Sequence, residues 1–162
     1  VAAALLLLAQ PTPLLFMGQE NDEAAPFQFF ADFQDPALKK AVSEGRRSEF
    51  KDFDFVEVPD PQDPATFQRS KLTWADAADN REMLEWYKRL LQLRREYVTN
   101  NPRAADAQFV EGVLSMAVPA KNPHLVVEAS LQTGASLPRI KSGWHEVLRS
   151  AEDGYELSVF VR

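Results

Sequence analysis

The chain contains no cysteine, which excludes disulfides and thiolate metal sites. Histidine is nearly as scarce. His124 and His145 are the only two, and neither has a second histidine or a carboxylate at a ligand-like spacing. No metal site is therefore expected. Basic residues are outnumbered, 18 Lys and Arg against 24 Asp and Glu, for a net charge of -6. That balance argues against nucleic acid or an anionic membrane as partner, because both demand clustered Lys and Arg. Long hydrophobic runs are also missing. The opening run, residues 1–9, is far short of the ~20 apolar residues that span a bilayer, and no basic segment precedes it as in a signal peptide. With Pro11 and Pro13 behind it, this run reads as the end of a buried helix. A chain opening on Val1 inside such a helix is expected to be a fragment of a longer protein.

What is present amounts to 162 residues with 45% hydrophobic and 26% charged content, enough for one ordinary domain or two small pieces. The most informative stretch is Pro11-Thr12-Pro13-Leu14-Leu15-Phe16-Met17-Gly18-Gln19-Glu20. A short apolar run between prolines and a glycine, followed by polar residues, reads as a buried parallel strand opening into a loop. In a (β/α)8 barrel the loops at such strand ends build the substrate face.

Residues 18–79 then form a long excursion rich in proline and aromatics, a length rare in compact domains without internal elements or a function. Asp35-Pro36 reads as an N-cap followed by a proline at the first helical position, predicting a helix to Arg46 or beyond, with Gly45 a weak point. Asp63 is expected to cap a short helix over 65–70. The clearest helix runs over 80–98, capped by Asn80. Its apolar stripe comprises Met83, Trp86, Tyr87, Leu90, Leu91, Leu93 and Tyr97. These are read as core residues, Trp86 included. After Asn100-Asn101-Pro102 the pattern changes to short β-type runs over 108–118, 125–131, 140–147 and 155–161. Turn signals stand at Asn122-Pro123, Thr133-Gly134 and Asp153-Gly154. This predicts a small antiparallel β-sandwich.

The 13–20 stretch resembles the last barrel strand of the alpha-amylase superfamily. Three further segments narrow the resemblance: Pro26-Phe27-Gln28-Phe29-Phe30-Ala31-Asp32-Phe33, then Glu44-Gly45-Arg46-Arg47-Ser48-Glu49-Phe50, and the proline-rich 59–72. Together they look like the malto-oligosyltrehalose trehalohydrolase family. The resemblance implies an α/β plus all-β organisation. Residues 1–98 would be the C-terminal part of a (β/α)8 catalytic barrel with a long loop after its last strand, and 103–162 a C-terminal antiparallel β domain. It further implies a cytoplasmic glycoside hydrolase that needs no cofactor and acts on malto-oligosyltrehalose or a related α-glucan. Retaining glycosidases use two carboxyl groups about 5 Å apart. In this superfamily those carboxylates come from earlier barrel strands, so none is assigned here and the isolated chain is expected to be inactive, lacking the N-terminal part of its own barrel.

The expected contribution of this chain is substrate positioning. Gln19 and Glu20 can bond sugar hydroxyls, and Phe27 can stack on a pyranose face. The other phenylalanines, Phe29, Phe30 and Phe33, are alternative platforms, with alternate members expected to bury themselves beneath the loop. Asp32 is expected to fold the loop, Arg46 and Arg47 to lie on a solvated helix face, and the histidines to sit at the surface or an edge. A glycogen-branching or debranching enzyme, or a non-catalytic carbohydrate-binding module, is the competing reading.

Overall fold

The computed structural model describes residues 1–51, 58–73, 80–99, 105–137 and 142–162. These divide into two compact units, one made of 1–15 with 82–162 and the other of 16–81. The expected break at Asn100-Asn101-Pro102 and the start of the expected 140–147 strand lie outside the described residues.

In the first unit, helix α1 (Ala2–Leu8) begins the chain. Helix α4 (Arg81–Leu93) follows the excursion and continues through a π-helical turn, Arg94–Val98. Both helices present apolar residues at helical spacing: Ala4, Leu7 and Leu8 on one, Tyr87, Leu90 and Leu93 on the other, with Val98 beyond. Trp86 is partly buried against this cluster, as its place in the stripe predicts. Arg94 fixes the end of α1. Its guanidinium donates to the carbonyls of Leu7 at 2.7 Å, Ala9 at 2.6 Å and Pro11 at 3.1 Å. A helix C-terminus has carbonyls without intrahelical partners and a partial negative charge, and a planar cation with several donors satisfies both.

Five antiparallel strands complete the unit: β1 (Asp106–Val110), β2 (Val113–Val118), β3 (Leu125–Ser130), β4 (His145–Glu152) and β5 (Tyr155–Val161). They form one sheet in the order β1-β2-β3-β5-β4. Two-residue alternation sends Met116, Val118, Leu125, Val127, Ala129, Leu157 and Val159 into the same cluster as α1 and α4. The expected sandwich is thus corrected. Among the described residues the strands make a single sheet, and helices supply the layer on its apolar face. The run expected over 108–118 is a hairpin: Glu111 and Gly112 turn at φ 49° and 83°. Two successive left-handed residues match the strand twist as a two-residue hairpin requires. Asp153-Gly154, at φ 52° and 79°, closes β4 onto β5 as its sequence signal predicts.

In the second unit, helix α2 (Pro36–Glu49) runs through Gly45 without a break, and Asp35 caps it by accepting from the Leu38 N–H at 2.9 Å. Helix α3 (Pro64–Arg69) is capped by Asp63, which accepts from the Ala65 N–H at 2.8 Å. Asn80, expected to cap α4, immediately precedes that helix, and its amide donates to the Asn21 carbonyl at 2.6 Å. The strand expected over 12–17 does not form. Residues 12–16 have no ladder, and Leu14 is 89% exposed. A parallel strand is held by hydrogen bonds to neighbours, and no described residue offers it an edge.

Candidate functional site

The turn after residue 16 is built around Gly18, whose φ of +90° lies in the left-handed region. A Cβ there would stand 2.7 Å from Glu23 Cβ and 3.1 Å from a Leu72 methyl, so both conformation and close packing demand glycine. Gly18 precedes a short 3-10 turn, Gln19–Asn21. Its carbonyl accepts from the N–H groups of Asn21 at 3.0 Å and Glu23 at 3.1 Å. Asn21 is buried beneath the turn. Glu23 ties the turn to a segment fifty residues away: Oε2 accepts from the Thr73 N–H at 2.7 Å, and Oε1 from the Thr73 hydroxyl at 2.8 Å and the Ala25 N–H at 2.9 Å. These bonds favour the ionised carboxylate, and they hold its pKa below the usual glutamate value, led by the Ala25 and Thr73 backbone donors.

The turn presents the residues singled out in the sequence. Gln19 is exposed, and its Oε1 accepts from the Phe16 N–H at 2.7 Å. Glu20 is half-buried, and among the described residues no hydrogen bond or ion pair holds its carboxylate. Phe27 joins the same cluster through Phe16, edge-on with ring centroids 5.0 Å apart. The aromatic row continues edge-on from Phe27 to Phe30 at 5.9 Å and from Phe30 to Phe67 at 5.0 Å. The expected alternation of buried rings is therefore corrected. Phe27, Phe29 and Phe33 are all exposed, and Phe30 is half-buried. The segment has no sheet ladder to impose a period of two. Instead Ala31 bonds the Pro61 carbonyl at 2.9 Å, Gln28 bonds the Ser70 hydroxyl at 3.1 Å, and Phe33 bonds Gln62 Oε1 at 3.3 Å. Asp32 makes an exposed ion pair with Lys39 at 3.5 Å.

Beside this row lies a cavity of about 340 Å³ lined by Phe27, Gln28, Phe29, Arg46, Phe50, Val58 and Pro59. Arg46 was expected on a solvated face. Its guanidinium carbon instead stands 4.2 Å from the Phe50 ring centroid and 5.4 Å from that of Phe29. Arg46 and Phe50 are four apart at the end of α2, a spacing visible in the sequence that brings side chains together on one face. Arg47, the more exposed of the pair, bonds Asp60 at 3.2 Å. Asp60 also accepts from the Ser43 hydroxyl at 2.7 Å and the Gln62 N–H at 3.0 Å, while its carbonyl accepts from Thr66 at 2.7 Å. The Ser43 bond foremost, then Gln62 and Arg47, lowers the Asp60 pKa. This one carboxylate fastens the proline-rich segment to α2. His124 and His145 are exposed, as expected. Among the described residues no group of three or more His, Cys, Asp or Glu is arranged to hold a metal ion, and no helix is long and apolar enough to cross a membrane.

No family model matches the chain. Individual proteins do. A crystal structure of a candidate alpha amylase from Salmonella typhimurium superposes with a TM-score of 0.74 at 31% identity, covering 99% of this chain and 30% of that one. In class, the chain resembles glycoside hydrolases of the alpha-amylase kind. In particular, it is similar to malto-oligosyltrehalose trehalohydrolases. That of Brevibacterium helvolum is 49% identical over 113 residues, 67% of this chain and 18% of the relative. Those of Rhizobium sp. strain M-11 and Arthrobacter ramosus are 50% identical over 99 residues and 43% over 121, covering 59% and 72% of this chain. The matches cover 17% and 21% of those two relatives, so the chain spans about a fifth of the length of the curated relatives it matches.

Proposed function

We propose that this chain is part of a larger cytoplasmic enzyme that hydrolyses the α-1,4-glucosidic bond next to the trehalose unit of malto-oligosyltrehalose, releasing trehalose. The observation that carries the reading is the 49% identity over 113 residues to a protein of that name. In this reading residues 1–98 belong to a (β/α)8 barrel whose remaining strands lie in the rest of the enzyme, and 103–162 form the C-terminal β domain. The catalytic carboxylates of a retaining mechanism lie in the remainder of the enzyme. Gln19, Glu20 and Phe27 serve as substrate contacts. The Glu20 carboxylate accepts from sugar hydroxyls, the Gln19 amide donates to them, and Phe27, 51% exposed, offers an aromatic wall beside the same turn.

The longer protein, incubated separately with malto-oligosyltrehalose and with amylose, should release trehalose from the first. A branching enzyme would instead introduce new branch points into amylose, and a non-catalytic module would leave both substrates unchanged.

A further inference from the structure

The cavity at the end of α2 adjoins the turn through Phe27 but differs from it in composition. Three aromatic rings line it, Phe27, Phe29 and Phe50, and Val58 and Pro59 complete its apolar lining. Phe29 is 49% exposed although it is a large apolar ring, an arrangement that costs hydration free energy unless something covers it. Its polar groups are Arg46 and Gln28. Arg46 is paired with Glu49 Oε2 at 3.0 Å, and its guanidinium carbon lies over the Phe50 ring, 4.2 Å from the centroid. A guanidinium has five N–H donors in a fixed plane, so it keeps directional donors while its charge is largely balanced. Gln28 is held in place by its backbone bond to Ser70, and its Oε1 accepts from Arg69 Nε at 3.4 Å.

A site of this make-up discriminates among ligand classes. An anion would gain little from an already paired arginine in a chain of net charge -6. A purely apolar ligand would bury the Arg46 and Gln28 donors without partners, which is costly. A neutral polyol with an apolar C–H face and a rim of hydroxyls suits both kinds of wall. The volume of about 340 Å³ lies at the small end of ligand pockets, which run from about 300 to 1,000 Å³.

We propose that the Phe29–Arg46–Phe50 cavity is an auxiliary binding site for a glucosyl ring of an α-glucan, in which the ring packs on Phe29 and its hydroxyls accept from Arg46. This rests on the reading of the enzyme as α-glucan-active. The site lies next to Phe27, which lines the cavity and also touches Phe16 of the substrate turn. It thus extends the glucan path away from the turn, so that it holds a long chain and ignores a short one.

The test is isothermal titration of maltoheptaose into the longer protein and its Phe29→Ala, Phe29→Trp, Arg46→Gln and Lys40→Ala variants, with trehalose release from malto-oligosyltrehalose assayed alongside. Phe29→Ala should weaken maltoheptaose binding by about 5- to 30-fold, the scale of one lost stacking contact, and Arg46→Gln by about 10- to 150-fold, the scale of one lost charged hydrogen bond. Phe29→Trp, which keeps an aromatic wall, should retain wild-type affinity, a rescue that a merely structural role would not give. Lys40→Ala, on the solvent side of α2, should change nothing. Unchanged affinity in both Phe29→Ala and Arg46→Gln overturns the auxiliary site, as does equal weakening by Phe29→Trp. Weakened binding without any trehalose release from the wild-type protein overturns the enzymatic reading and leaves the glucan site standing.

Discussion

At the scale of single residues, the turn at 18–25 depends on a side chain that need not touch substrate, Glu23. Its folded pKa is depressed, so the clamp contributes its full stability above the unfolded glutamate value and loses it as pH falls through the folded one. Glu23→Gln should lower the melting temperature at neutral pH, and the gap from wild type should close progressively in melts taken below the ordinary glutamate pKa. A gap independent of pH would show that the carboxylate charge contributes nothing. Glu20 has the opposite character, a half-buried carboxylate that no described residue engages. Charged hydrogen bonds are worth about 1.5–3 kcal/mol, roughly 10- to 150-fold in rate when made only in the transition state. In the longer enzyme Glu20→Gln should therefore lower kcat/KM by about that factor with an unchanged melting temperature. Wild-type kinetics would reduce the motif to a structural turn. The Gly18-Gln19-Glu20 turn was legible because glycine after an apolar run has few structural meanings. The roles of Glu23 and Asp60 were not, since their partners lie fifty and seventeen residues away, at Thr73 and Ser43, and sequence spacing carries no trace of such closures.

At the scale of elements, the helices and hairpins followed their local chemistry. Asp35-Pro36 and Asp63-Pro64 cap α2 and α3 as read, because an N-cap acceptor and a first-turn proline act within a few residues. The Glu111-Gly112 turn was missed: it adopts the same left-handed pair as Asp153-Gly154, but with glutamate in place of the aspartate that marks such turns. Apolar residues adjoin it on both sides, Phe109-Val110 and Val113-Leu114, and let the two strands read as one run. The strand at 12–17 was read from an apolar run that a buried strand requires, but a strand exists only when a neighbour supplies hydrogen bonds. The sandwich was misread for a related reason. Alternation shows that one sheet face is apolar, and it is silent on whether a sheet or helices cover that face. The cover supplied by α4 should be measurable. Leu90, fully buried in the cluster, should cost about 2–5 kcal/mol on substitution by alanine in denaturant unfolding. The adjacent Leu91, 41% exposed, should cost far less. Equal effects would contradict the placement of the stripe. Arg94→Lys, which keeps the charge but loses the planar fork on Leu7, Ala9 and Pro11, should cost about 1–2 kcal/mol.

At the scale of the whole molecule, the chain spans 18% of one relative and 30% of the solved structure it superposes on, and the proposed function takes its sheet, helices and turn as pieces of a larger architecture. The central claim is that this architecture releases trehalose and that the present residues position substrate without performing the bond cleavage. One assay addresses both halves: trehalose release from malto-oligosyltrehalose, measured side by side for the longer protein and for residues 1–162 at equal concentration. The account predicts turnover by the longer protein and none above the uncatalysed background by residues 1–162, because the loss of any member of a catalytic set costs orders of magnitude. Sustained trehalose release by residues 1–162 alone, or its absence from the longer protein, would contradict it.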